Sequence, residues 1–267
     1  MIMSILETKK LSRSYGTFKA VDGLDLNIEA GEIFALLGPN GSGKSTTIKM
    51  LTTLLTPTSG EAFINGYNIK TRTDDIRRII GYVPQMISAD GSLTAYENLM
   101  LFAKLFDIPR RERKQRVEEA LKFMGLEEVM YKLVKEYSGG MIRRLEIAQS
   151  TIHRPLILFL DEPTTGLDPI GRNVVWEHVS ALRKQYGTTI IMTTHLMEEA
   201  DGCDRIALMT RGKLAIIGSP KDLKDSLKKE NATLEDVFIH YTTDNLTESG
   251  NNFHNVSIER KTTGRLG

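Results

Sequence analysis

Three short stretches of this sequence carry residue types and spacings suited to phosphate chemistry. The first, Gly38-Pro39-Asn40-Gly41-Ser42-Gly43-Lys44-Ser45-Thr46, fits the phosphate-binding loop pattern G-x-x-x-x-G-K-[ST]. Its glycines let the backbone curl so that successive N–H groups point inward at phosphate oxygens. Lys44 is placed to reach terminal phosphates, and the Ser45 hydroxyl to ligate magnesium. The second stretch is Asp161-Glu162, directly after the apolar run Leu156–Leu160. A magnesium-nucleotide site needs one carboxylate toward the metal and a group that positions or deprotonates the attacking water. Asp161 suits the first task and Glu162 the second. The third is His195, following Thr188–Thr194. It reads either as a structural residue at a strand end or as a hydrogen-bond donor to a terminal phosphate.

These residues need elements to hold them. Ile33–Leu37 is a short apolar run that predicts a buried strand, and Ile48, Leu51 and Leu55 at helical spacing predict a helix beginning near Lys44. The start of that helix adds unpaired amides and the positive end of its dipole. Leu156–Leu160 lacks alternation, which marks a central parallel strand whose carboxyl end is where open α/β sheets place ligands. Strand-like runs also occur over residues 5–30, Glu61–Gly66, Ile79–Val83, Thr188–Thr194, Arg205–Met209 and Leu214–Ile217. Helices are expected near Asp74–Arg78 and over Arg172–Lys184. Between about residues 90 and 153 no convincing strand is found. There Leu99, Phe102, Ala103 and Phe106 share a helical face, and Val117, Leu121 and Met124 are spaced for burial in a charged segment. This block reads as a helical insertion.

Other residues are ambiguous on their own. Tyr15 could plug a sheet edge, and Gln85, just past Pro84, reads as a solvated loop residue. Ser138 is well placed as an N-cap, with Gly139 and Gly140 leaving amides open to an anion, yet alone it reads as a simple capped helix. Asp168 lies in the turn Thr165–Pro169.

Hydrophobic content of 40% and charged content of 26% suit a soluble globular protein of 267 residues. Lysine plus arginine (35) balances aspartate plus glutamate (34), so no whole-protein basic field exists to hold nucleic acid. Cys203 has no partner for an internal disulfide, which suits a reducing cytosol. An acid, Glu7, interrupts any signal-peptide core, and no apolar stretch approaches the roughly 20 residues needed to cross a bilayer. Any membrane role is expected to run through a partner. Residues 241–267 are polar, with few apolar anchors, and predict a disordered tail.

Taken in order, these pieces resemble the nucleotide-binding subunit of an ATP-binding-cassette transporter, over nearly residues 5–240. Gly38–Ser45 matches the family's Walker A loop and Leu156–Asp161 its Walker B strand. The resemblance implies that Tyr15 stacks on adenine and that Gln85 senses magnesium and the membrane partner. It implies that Ser138-Gly139-Gly140 contacts the γ-phosphate held by the opposite subunit, that Glu162 is the catalytic glutamate, and that Asp168 crosses the dimer interface. His195 becomes the switch histidine. The signature departs from the common L-S-G-G-Q: here Tyr137 and Met141 flank it, and Met141 cannot hydrogen-bond as an amide would. That variant, with Arg143-Arg144-Leu145-Glu146 and the late Ala232–Phe238, is similar to the drug- and antibiotic-export branch of the daunorubicin-resistance type.

The fold implied is a phosphate-loop α/β core with an antiparallel β edge and an inserted helical subdomain, together spanning residues 3–240. The function implied is magnesium-dependent ATP hydrolysis by a head-to-tail homodimer, at the cytoplasmic face of the cell membrane. The dimer would drive a separately encoded multi-span permease. The rival is a soluble cassette ATPase acting on nucleic acid or the ribosome. The single contiguous cassette and the near-zero net charge weigh against it.

Overall fold

The computed structural model describes residues 4–247. It opens with two long strands, β1 (Ser4–Tyr15) and β2 (Phe18–Glu29), where the sequence suggests several short ones. Bulges account for the difference. The β1–β2 register shifts between Thr8 and Leu11, among other places, and Lys10 adopts a left-handed φ of 50°. An inserted residue breaks the inside–outside alternation without ending the strand.

The chain continues through β3 (Ile33–Leu37), α1 (Lys44–Leu51), β4 (Ser59–Ile64), β5 (Tyr67–Asn68), α2 (Thr73–Ile79) and β6 (Ile80–Val83). Then come α3 (Ala95–Leu105), α4 (Arg110–Phe123) and α5 (Gly139–Thr151), the helical insertion. The remainder runs β7 (Ile157–Asp161), α6 (Pro169–Tyr186), β8 (Thr189–Thr194), α7 (Met197–Asp201), β9 (Arg205–Thr210), β10 (Lys213–Gly218), α8 (Pro220–Ser226) and α9 (Leu234–Thr247).

Strands β2-β1-β4-β5 form an antiparallel sheet, and β10-β9-β3-β8-β7-β6 form a second sheet. The second is parallel except at its β10 edge. An α/β core with an antiparallel β edge and inserted helices is therefore the fold. β3, β7 and β8 are buried at every position. Their pleat sends Ile33, Ala35, Leu37, Leu158 and Leu160 into a core shared with α3 to α6. Phe34, Leu36, Ile157 and Phe159 enter the opposite core, with β1, β2 and α1. Each of the leucine, isoleucine and phenylalanine side chains contributes about 1.5–3 kcal/mol on burial. The sheet is thus clamped from both faces, which holds its strand ends in fixed relation.

Within the insertion, a capping box between Thr94 and Glu97 starts α3, which packs on α4 through Leu99, Ala103, Val117 and Leu121. At the other end, α9 continues through Thr242 to Thr247, where composition alone suggests an unstructured tail. Leu234 and Val237 are buried, so packing nucleates the helix and propagation extends it. The rest of the expected tail, 248–267, lies outside the described residues.

Candidate nucleotide site

The loop between β3 and α1 lies directly on neighbouring backbone. A Cβ on Gly43, whose φ is 103°, would stand 2.5 Å from the Ala20 carbonyl oxygen, and one on Gly38 would collide with the Met209 carbonyl. Only glycine permits this close packing. The Lys44 side chain folds back along the loop, and its Nζ donates to the carbonyls of Gly38 (2.8 Å) and Pro39 (3.1 Å). Burial lowers the Lys44 pKa, while Glu162 and Asp161 oppose that shift. The Ser42 hydroxyl is buried without a hydrogen-bond partner among the described residues.

Across the sheet, Asp161 ends β7. Its Oδ1 accepts from the Ser45 hydroxyl (2.9 Å) and the Thr193 hydroxyl (2.6 Å). Glu162 then takes a left-handed φ of 49°. A non-glycine residue rarely adopts this geometry, and it persists because its surroundings enforce it. The Glu162 N–H donates to Thr193 Oγ1 at 2.9 Å, and the turn swings the carboxylate back over the strand ends. Glu162 Oε2 accepts from Gln85 Nε2 (3.0 Å) and Thr165 Oγ1 (3.1 Å), and lies 3.5 Å from His195 Nδ1. Glu162 Oε1 is 3.7 Å from Lys44 Nζ. The carboxylate is buried, and it is the hub where Lys44, Gln85 and His195 meet.

A cleft of about 470 Å³ opens above this hub. It is lined by the phosphate-loop residues Asn40, Gly41, Gly43, Lys44, Ser45 and Thr46, by Gln85 and Glu162, and by Tyr15, Phe18 and Ala20. The volume suits a nucleotide. Tyr15 does not plug a sheet edge: it is 49% exposed, and the Arg13 guanidinium lies 4.7 Å from its ring centroid. Phe18 was not singled out from the sequence. A large aromatic just past Tyr15-Gly16-Thr17, where a hairpin tip is normally polar, is the signal that could have found it.

Magnesium fits the Ser45–Asp161 pair. Among the described residues no three His, Cys, Asp or Glu gather as a metal cage. Magnesium commonly uses one or two carboxylates together with water and substrate phosphates, which is the donor set this cleft could supply. Gln85, expected beside the metal, has its side-chain amide engaged by Glu162.

Ser138, Gly139, Gly140 and Asp168 gather elsewhere. Ser138 Oγ caps α5 by accepting from the Met141 N–H at 3.3 Å. Asp168 Oδ1 caps α6 by accepting from the Gly171 N–H at 2.6 Å, and Pro169 follows as the first helical residue. That cap starts α6 before Arg172, where the sequence suggests it begins. Both caps face a second cavity of about 300 Å³ that also contacts Met141 and Arg144. It shares no lining residue with the cleft at Lys44.

A phosphate loop between a parallel strand and a helix, with acids ending a nearby strand, defines the phosphate-loop nucleotide-binding class. Residues 21–165 match the family model described as ABC transporter. The chain is 46% identical over 223 residues to the daunorubicin/doxorubicin resistance ATP-binding protein DrrA of Streptomyces peucetius, covering 83% of this chain and 67% of that one. It is 40% identical over 239 residues to the probable multidrug ABC transporter ATP-binding protein YbhF of Escherichia coli. That alignment covers 88% of this chain but only 41% of the relative, so the chain spans less than half of YbhF. The structure is similar to the dimeric post-hydrolysis state of the ATP-binding cassette MJ0796 bound to ADP and Pi. The TM-score is 0.73 at 30% identity, covering 80% of this chain and 98% of that one. The chain belongs to the ABC transporter family.

Proposed function

We propose that this chain hydrolyses ATP as the nucleotide-binding subunit of a transporter exporting a drug, antibiotic or other small molecule. The observation that carries the reading is the buried Glu162 carboxylate, held by Gln85 and Thr165 and close to Lys44 and His195 beside the nucleotide-sized cleft. Lys44 and the loop amides bind the phosphates. Tyr15 and Phe18 face the base. Glu162 takes a proton from the attacking water, and His195 steadies the terminal phosphate. Ser45 and Asp161 would hold magnesium, whose charge would offset the charge developing on the phosphates.

The names of DrrA and YbhF support the export reading, and the dimeric ADP-bound MJ0796 supports a shared-site dimer. In that dimer each nucleotide lies between Lys44 of one protomer and Ser138 of the other. Two separate cavities within one chain fit the arrangement. No helix among the described residues is long and apolar enough to cross a membrane. The similar cassette cbiO1, part of the ABC transporter complex cbiONQ, supports a separate membrane permease as the partner. The balanced net charge speaks against nucleic acid as the partner.

The test is Glu162→Gln. This near-isosteric change should preserve ATP binding while turnover falls by roughly 10²–10⁴, the usual cost of losing general-base catalysis. Near-normal turnover would remove Glu162 from the role.

A further inference from the structure

Arg143 and Glu146 sit on the buried side of α5, the helix that Ser138 caps. A buried ion pair is weak evidence for stability, because desolvation offsets much of the Coulombic gain. The partners of this pair point to another role. Arg143 Nη1 donates to the Pro84 carbonyl (2.7 Å) and Nη2 to the Gln85 carbonyl (3.0 Å). Glu146 Oε1 accepts from the N–H (2.5 Å) and the hydroxyl (3.0 Å) of Ser88, and Oε2 lies 3.0 Å from Arg143 Nη1. One ion pair thus grips the backbone on both sides of the Gln85 side chain. Nearby, Ser150 Oγ donates to the Tyr82 carbonyl at 2.8 Å, so α5 also holds the strand that leads into this loop.

We infer that Arg143, braced by Glu146, is a positioning residue. It makes residues 84–88 and α5 one rigid body, so that displacement of the Ser138 end of the helix moves the Gln85 amide relative to Glu162. The Gln85–Glu162 hydrogen bond of 3.0 Å is the contact through which it acts. A planar guanidinium suits the task because its fork holds two carbonyls at once, whereas a lysine ammonium is a single point. The inference rests on the reading that Glu162 handles the attacking water.

The experiment measures ATP turnover of the full chain with Arg143→Lys and with the double change Arg143→Met, Glu146→Leu, each with and without Gln85→Ala. The double change removes both charges together, so no buried charge is left unpaired. Both variants should lower kcat by about tenfold or more, as displaced catalytic groups do, with KM for ATP unchanged. In the Gln85→Ala background neither should lower kcat further, because the contact they act through is already gone. A purely structural role would shift Tm and lower kcat by the same factor in both backgrounds. That result, wild-type turnover, or a loss confined to KM would overturn the inference. Normal turnover of Glu162→Gln would instead overturn the hydrolytic reading, so the two failures are distinguishable.

Discussion

The Ser45 hydroxyl donates to Asp161 Oδ1 at 2.9 Å, joining the first turn of α1 to the end of β7 across 116 positions of sequence. The contact exists because β3, β8 and β7 lie side by side and parallel, which brings their carboxyl ends to one edge. In the proposed site this pair, a neutral oxygen and a carboxylate, would hold the magnesium.

Asp161→Asn keeps the shape of this pair and removes its charge. The magnesium concentration for half-maximal ATP turnover should rise by roughly 10–100-fold, the usual cost of disturbing a residue in a metal's surroundings. Magnesium titration of the variant provides the check. An unchanged requirement would place the metal elsewhere.

Tyr15 presents a ring to the cleft with Arg13 stacked upon it. Tyr15→Ala should weaken ATP binding by about 1–3 kcal/mol, the range for base–aromatic stacking, and Tyr15→Trp should retain it. Calorimetric titration with ATP and with inorganic tripolyphosphate separates the contributions. An equal loss for tripolyphosphate would mean that the ring supports the loop and not the base.

The separate cavities at Lys44 and Ser138 allow a complementation test. Lys44→Ala and Ser138→Arg chains should each be inactive alone. Mixed, a shared-site dimer gathers both defects in one site and leaves the other intact, so part of the ATPase activity should return. Cysteines placed near Ser42 and Ser138 should crosslink between protomers only with ATP, in a Glu162→Gln background. If they never crosslink, each chain builds its own site.

His153 stacks on Phe106, with ring centroids 3.7 Å apart, and its Nε2 lies 3.0 Å from the Ile80 carbonyl oxygen. The imidazole therefore donates from Nε2, and the buried Nδ1 has no hydrogen-bond partner among the described residues. Burial pushes its pKa down to about 4, although the bond to Ile80 opposes the shift. As pH falls, the unfolded chain takes up the proton first. The stability from the neutral ring is fully present above about pH 6.5 and is lost towards pH 4, up to about 3 kcal/mol. Thermal unfolding should show the wild-type Tm falling more steeply over this window than that of His153→Gln. Parallel curves would assign the acid lability to other groups.

Much of the framework is local and therefore legible in the amino-acid sequence. Gly38–Thr46 is contiguous, its glycines permit the tight loop, and the helix start follows from apolar spacing after Lys44. Ser138 caps α5 through a hydroxyl only three residues from the N–H it accepts. Uniformly apolar runs at β3 and β7 signal burial on both faces, and that is where they lie. The meeting of Glu162 with Gln85, 77 positions away, was not legible, and neither was the grip of Arg143 on the Pro84 and Gln85 carbonyls. Nor was the length of β1 and β2, whose bulges erase the alternation that would have announced them. The contacts of Glu162 and Arg143 depend on the order β3-β8-β7-β6, which no local window contains. That order is set when helices and the antiparallel sheet bury both faces of the parallel sheet together, and only then do distant strand ends become neighbours.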